Sequence, residues 1–363
     1  MNKKILPFVV SALIVIFAVG CNHVKKTSGN NPKDDKKSIG TELIVEQSEN
    51  DDGESLSDEK VESEQSMDVV SMGDSQGDVL FAELSQYSFS CTSVGGTWSS
   101  KFSINPDGSF CGLYYDVEKE DKGKEYPNGT TYISEYYGQF SEFEKNEENV
   151  YKMKIDSLEY VDNDTSFICN SMKYKMTDAV GFEKTKEFCV NGPKLSKAEC
   201  SKEFVQSLKQ SKVSIGDTLN TYYIFNEKAG KVFQGTKMKK NALKNMKNIY
   251  KAELAARNMS KGMEKQKTKL EKNSRAGELF RMWDDVLNDE WKLMKSLFDE
   301  KTMNILLKTE LQWIDQKEYR IKQINKSSNS GSELRLAENQ KAADITRIWV
   351  YELARSDAWN KVK

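Results

Sequence analysis

The chain has 363 residues, of which 37% are hydrophobic and 30% charged, with a formal net charge of -2. So much charge beside so little apolar material argues for folded modules joined by solvated segments rather than one large core. There is a single histidine, His23, and no Cys-x-x-Cys pair. That excludes Ser-His-Asp and Cys-His catalysis, histidine general bases and the common zinc sites, and leaves carboxylate-only chemistry as the route to an enzyme.

Residues 1–20 predict a signal peptide. Lys3 and Lys4 precede an apolar run from Ile5 to Val19. As a helix rising about 1.5 Å per residue it reaches roughly 22 Å, short of the ~30 Å hydrocarbon core. Ala18-Val19-Gly20 directly before Cys21 resembles a bacterial lipobox, in which Cys21 is lipidated and becomes the first residue of the mature chain. A plain secretory signal with an incidental cysteine is the alternative. Acyl chains on Cys21, at ~0.8 kcal/mol per buried CH2, would hold the protein on the membrane. The expectation is a lipid-anchored, extracytoplasmic protein, with no later segment apolar enough to span.

Residues 21–78 read as the lipidated cysteine followed by a disordered acidic tether, too poor in large apolar side chains to offset chain entropy. Residues 22–40 carry five lysines against two aspartates, whereas residues 41–78 carry thirteen acidic groups against Lys60 alone. A spacer is the simplest use, and an acidic lure for a cationic partner the sharper one.

From 79 to 235 the texture is that of strands. "TWSSKFSI" alternates, "NPDG" (Asn105 to Gly108) turns, and "SFCGLYYDV" resumes, which is a hairpin with turn chemistry. "TTYISEYYGQFSEF", "NVYKMKIDSLEYV" and "TLNTYYIFN" continue the pattern, with one helix near Ser196 to Gln210. The fold class predicted is all-β, a small antiparallel barrel or sandwich, followed by an all-α bundle. Gly96-Thr97-Trp98 resembles the Gly-x-Trp opening of lipocalin-like barrels, and a buried tryptophan after a glycine turn is the plain alternative. "SINPDGSFCGLYYD" with "YPNGTTY" and "GQFS" also resembles β-domains of clostridial lipoproteins of unknown function. Five cysteines lie beyond Cys21 (Cys91, Cys111, Cys169, Cys189 and Cys200), an odd number, whose pairing spacing does not specify.

Residues 236–272 form a basic connector helix, broken near Gly262. Between 237 and 272 there are twelve Lys or Arg against three Glu. A solvated connector is one reading, and binding to anionic wall polymer or lipid headgroups the other.

Residues 273–363 predict a small antiparallel helical bundle. In "GELFRMWDDVLNDEWKLMKSL", Leu279, Trp283, Leu287, Trp291, Met294 and Phe298 make one apolar stripe. Asp284, Asp285, Asp289 and Glu290 are placed off it, on exposed or flanking positions, too solvated for an acid/base pair. Met303, Leu307, Leu311, Ile314, Ile321 and Ile324 mark a second helix, and Leu334, Ala337, Ile345, Ile348, Trp349 and Leu353 a third.

Leu287-Asn288, Trp291 and Leu297, then "LLKTELQWIDQKE", Gly331-Ser332 and "TRIWVYEL" resemble, in that order, the LprI-like lysozyme inhibitor family. In this chain Glu310 and Leu311 stand at the family's Gln-Arg positions, and Lys317-Glu318 at its Arg-Asp pair. Its cysteine staples are absent. The resemblance implies occlusion of a lysozyme cleft by a surface patch, carried over by motif position to Trp313, Lys317, Glu318, Gly331, Ser332, Thr346 and Arg347. Trp313 serves equally as a core residue, and Arg347 equally as a partner of Glu318.

The expected protein is therefore a non-enzymatic surface lipoprotein, held to the membrane through Cys21, with lysozyme or another wall hydrolase as partner. No cofactor, metal or nucleic-acid motif is found. The first alternative is a β-domain holding a small apolar molecule or glycan. The second is a carboxylate hydrolase using Asp116 and Glu135.

Overall fold

The computed structural model describes residues 76–363, apart from 164, 325–330 and 363. The signal segment, Cys21, His23 and almost all of the tether lie outside these residues. Helix α1 (Gln76–Leu84) precedes strands β1 (Tyr87–Thr92), β2 (Trp98–Ile104), β3 (Ser109–Glu118), β4 (Thr130–Glu147) and β5 (Val150–Tyr160). A short hairpin follows, β6 (Ser166–Cys169) and β7 (Met172–Met176), then β8 (Glu187–Asn191), α2 (Lys202–Gln210), β9 (Tyr223–Asn226) and β10 (Lys231–Lys237). The remainder is helical: α3 (Lys240–Glu264), α4 (Lys269–Leu297), α5 (Glu300–Ile324), α6 (Gly331–Ala354) and a 3-10 turn (Asp357–Lys361).

Strands β1 to β5 and β8 to β10 pair antiparallel with their neighbours, and β10 closes on β1 through Tyr87↔Lys237 and Phe89↔Gly235. The result is an eight-stranded antiparallel barrel followed by a helical region, the order expected. Closure leaves the barrel without a free edge. The β6–β7 hairpin adds to the start of β4 by a parallel pairing, Thr130↔Lys173. The predicted NPDG turn joins β2 to β3. Gly108 takes φ +81 there, a conformation that L side chains resist, and its N–H donates to the Asn105 carbonyl at 2.9 Å.

Period-two alternation sends one set of side chains inward. Phe89, Phe102, Phe110, Phe140, Phe188 and Phe233 meet there, joined by Phe182 from the segment after β7. The Phe102 ring centroid lies 5.0 Å from Phe233, 5.3 Å from Phe182 and 5.5 Å from Phe89. Gly112 is required by this packing, because a Cβ there would sit 2.3 Å from the Tyr136 ring. Helix α1 lays Leu80, Phe81 and Leu84 on the same core.

The outward set is buried too along β2 and β3, because helices cover it. Cys111 on β3 shares a cluster with Trp283, Ile348, Tyr351 and Leu353. Barrel and helices thus lie in one compact unit. Helix α6 is its axis, buried at nearly every position from Ala342 to Ala354.

Three expectations need correction. Helix α3 is not solvated all round: Ala242, Met246, Ile249, Glu253 and Ala256 are buried at helical spacing, and the helix runs through Gly262 without a break. On α4 the buried stripe is Ala276, Leu279, Trp283, Leu287, Glu290 and Met294. Glu290 thus takes the place expected for Trp291. On α5 the buried face is Thr302, Leu306, Thr309, Glu310, Trp313, Gln316, Lys317 and Arg320. Leu307 and Leu311, expected inside, are 39% and 50% exposed. The cause is that α5 faces charged and hydroxyl groups of the barrel wall, so its polar side is the side with partners.

Candidate functional site

Helix α5 meets the barrel through ions. Arg320 donates to Glu135 on β4 and to Asp162 after β5, the Nε–Asp162 bond being 2.8 Å. Lys341 of α6 reaches the other Asp162 oxygen at 2.6 Å. Burial pushes the Asp162 carboxyl up, but Arg320 and Lys341 outweigh it and hold the carboxyl below the usual range. A second chain runs from the β2–β3 turn across α3 to α6. Arg257 Nη1 donates to Asp107 at 2.6 Å and its Nε to Glu253 at 3.2 Å, and Arg347 grips Glu253 at 2.7 and 2.8 Å. Glu135 therefore holds the helical layer in place. Its side chain points outward, like its neighbours Ile133 and Tyr137, whereas Asp116 shares the inward register of Tyr114, so the two are on opposite faces of the wall and cannot form an acid/base pair.

The seven residues carried over from the lysozyme-inhibitor resemblance do not share one surface. Trp313 is buried and stacks on Trp349 with centroids 5.3 Å apart. Lys317 is buried against it, Nζ 4.6 Å from the Trp313 centroid, and burial pushes its pKa down. Thr346 is 0% exposed, with no partner for its hydroxyl. Arg347 is committed to Glu253 and lies 4.3 Å over the Tyr137 ring, not beside Glu318. Glu318 is half-exposed and bonds Lys322 at 3.2 Å. Gly331 and Ser332 are exposed at the start of α6. Cys21 lies outside the described residues.

Two carboxyls are buried inside the helical layer instead. Glu310 accepts from the indole N–H of Trp349, and burial pushes it up to about 7 against the pull of that bond and of Lys317. Glu290 is 2% exposed, and burial raises it well above the carboxylate range, with the Glu310 charge adding. Asn245 Nδ2 donates to Glu290 Oε1 at 2.9 Å, while Oε2 has no partner. Of the four carboxylates in the 277–297 stretch, Asp285 and Asp289 are exposed and Asp284 half-exposed, as expected, and Glu290 is the exception. The signal was present: Glu290 falls seven residues after Trp283, on the same helical face.

Glu290 lines a groove of about 550 Å3 between α3 and α4. Among the described residues no cluster of three or more His, Cys, Asp or Glu could hold a metal, and no helix is long and apolar enough to cross a membrane. All five described cysteines are free thiols. Burial pushes Cys91 up to about 11 and Cys111 up to about 12, which leaves them protonated and unreactive.

Fold and site together define an aromatic-filled antiparallel barrel whose outer wall carries a charge-docked layer of helices. No protein family, no curated protein and no solved structure matches the chain.

Proposed function

We propose that this chain is a non-enzymatic binding lipoprotein of the bacterial envelope, anchored through Cys21, that inhibits lysozyme or a related wall hydrolase through its helical layer. Support for the helices over the barrel comes from the barrel interior, where phenylalanine rings occupy the space a small apolar ligand would need. The observation that carries the reading is the inverted face of α5. It turns Leu307 and Leu311, one turn apart, toward solvent while burying Thr309, Glu310, Gln316 and Arg320. A helix that spends its polar side on the barrel presents an apolar ridge suited to contact with another protein. That ridge, flanked by Lys308 and Glu318, replaces the seven-residue patch as the surface that would occlude a hydrolase cleft. The net charge of -12 over residues 41–78 would draw a cationic hydrolase from a distance, an attraction that salt screens.

The test is lysozyme-catalysed lysis of wall substrate with the mature chain, at low and physiological salt. The wild type is expected to slow lysis at both. Leu307→Asp/Leu311→Asp, altered only at exposed positions, is expected to lose at least about tenfold in potency, since each leucine buried at an interface contributes about 1.5–3 kcal/mol. Absence of inhibition by the wild type, or equal inhibition by the double variant, would overturn the assignment.

A further inference from the structure

The α3–α4 groove has no part in that reading, and it is a built site. The two helices form a hairpin whose turn, residues 265–268, is fixed by a capping box between Thr268 and Glu271. The groove lies toward the other end, between Asn241 to Ile249 of α3 and Val286 to Leu297 of α4. Its volume falls within the range of small-molecule sites. At its floor is the Glu290 carboxyl, with one oxygen pinned by Asn245 and the other buried and unpaired. An unmet polar group in such a place is destabilising, and a bound ligand with a matching group would relieve it.

The surrounding groups decide the chemistry of that ligand. Burial and the nearby Glu310 charge push the Glu290 pKa up and so favour its protonated form, in which the oxygen not held by Asn245 offers an O–H. The carboxamides of Asn241 and Asn248 and the ammonium of Lys244 add further donors along the α3 wall. Asp289, on the α4 rim, is already taken by Lys292 at 2.8 Å. The α3 side is also strongly cationic: Lys240, Lys244, Lys247 and Lys251 recur at i, i+4, i+7 and i+11 and are all exposed. A cationic ligand would be repelled at the entrance and would find no free carboxylate within. Ile249, Val286 and Leu293 supply an apolar wall. Donors on one side and an apolar wall on the other suit a compact ring compound that carries carbonyl and hydroxyl acceptors and one C–H face.

We propose that the α3–α4 groove binds a small N-acylated sugar, with its amide carbonyl on the Glu290 carboxyl and its ring against Ile249 and Leu293. Asn241 and Asn248 take the ring hydroxyls, each carboxamide able to donate and accept at once. The site stands whether or not the protein inhibits a hydrolase.

The experiment is calorimetric titration of the full mature chain with N,N'-diacetylchitobiose. Two comparison ligands are cellobiose, the same two-ring frame without acyl groups, and cadaverine, a diammonium. Saturable binding of diacetylchitobiose is expected, with cellobiose at least about tenfold weaker and cadaverine not binding, one lost hydrogen-bonded group being worth roughly that factor. Glu290→Leu is expected to abolish binding. Glu290→Gln, which keeps an N–H donor and the Asn245 contact, stays within about threefold. Asn248→Ala, at an exposed position that leaves the fold untouched, weakens binding several-fold. Tighter binding of cadaverine than of the sugar would make Glu290 the floor of a cation site and overturn the proposal. So would sugar binding that ignores Glu290→Leu and Asn248→Ala, or no saturable binding at all.

Discussion

Phe102 and Lys101 are neighbours on β2, and they face two differently built regions. Phe102 points into the barrel, where five other phenylalanine rings lie within 6.3 Å of its centroid. Lys101 points out, to an ion pair at 3.6 Å with Asp357, the first residue of the C-terminal 3-10 turn. The interior is held by area removed from water, which is non-directional. The outer face is held by partners that have to meet at a fixed angle: Arg320 on Glu135, Arg347 on Glu253, Arg355 Nη1 on the Cys111 carbonyl at 2.7 Å, and Asn105 on the Tyr351 hydroxyl at 2.8 Å. The interior makes the barrel compact, and the directional contacts outside fix where the helices dock. The outer region also carries imperfections, since Ser103 and Thr131 keep buried hydroxyls without partners.

The largest effect is expected at Arg320, which joins α5 to the barrel wall. Arg320→Met leaves Glu135 buried and unpaired and is expected to cost about 3–5 kcal/mol by urea unfolding. Adding Glu135→Leu to that variant should return more than half of the loss, since an apolar pair replaces a stranded charge. A loss under about 1 kcal/mol for the single variant would show that water, not Arg320, satisfies Glu135.

A smaller effect tests the buried acids. The folded pKa of Glu310 is raised to about 7 from 4.5. The folded state therefore holds a proton that the unfolded chain releases between those values. The stability contributed is full below pH 4.5 and is lost as pH climbs through 7, up to about 3 kcal/mol in all. Glu310→Gln keeps an acceptor for Trp349 and cannot ionise. It is expected to exceed the wild type in stability at pH 8 by up to that amount and to match it near pH 4. Parallel stability curves over pH 5–8 would show that Glu310 stays hydrated.

The smallest change sharpens the contrast by removing a flaw. Thr346→Val replaces a fully buried hydroxyl without a partner by a methyl of the same shape, and should raise stability by about 1 kcal/mol. Because Thr346 is also one of the positions carried over from the inhibitor resemblance, its effect on lysozyme lysis is informative. Unchanged inhibition agrees with its place inside the protein.

Much of the barrel was legible beforehand. Alternation in "TWSSKFSI", the NPDG turn and the aromatic runs after it describe strands and a hairpin that the structure contains, because a strand's two faces are defined by the chain itself. The C-terminal helices were legible as segments, but the expected stripe of α5 was not its buried face, and α1 was not foreseen. The eighth pairing, β10 on β1, was not, since it joins segments some 150 residues apart that have no spacing in common. The cysteines show the same limit. Cys91 lies inside the barrel and Cys111 outside it, and only the closed wall separates them.

The candidate site was read less well, for a related reason. Periodicity names the face of a helix but not what will cover it. Glu290 and Trp291 are adjacent, and either could have completed the stripe that runs through Trp283 and Leu287. Leu311 and Glu310 posed the same choice on α5. In each case the apolar residue was the natural expectation and the glutamate is the buried one. Asn245 meets Glu290, Trp349 meets Glu310, and Glu135 and Asp162 draw the polar side of α5 inward through Arg320.

Sequence alone was enough for a strand-rich region followed by helices, for the turn that needs glycine at 108, and for a chemistry without histidine. Those features are local, set by backbone geometry and by the period at which side chains recur. Tertiary structure decided which faces were covered, and so which carboxyls lost their water and which leucines kept theirs. Burial is a property of the pair of surfaces that meet, and here the second surface is supplied by residues dozens to hundreds of positions away.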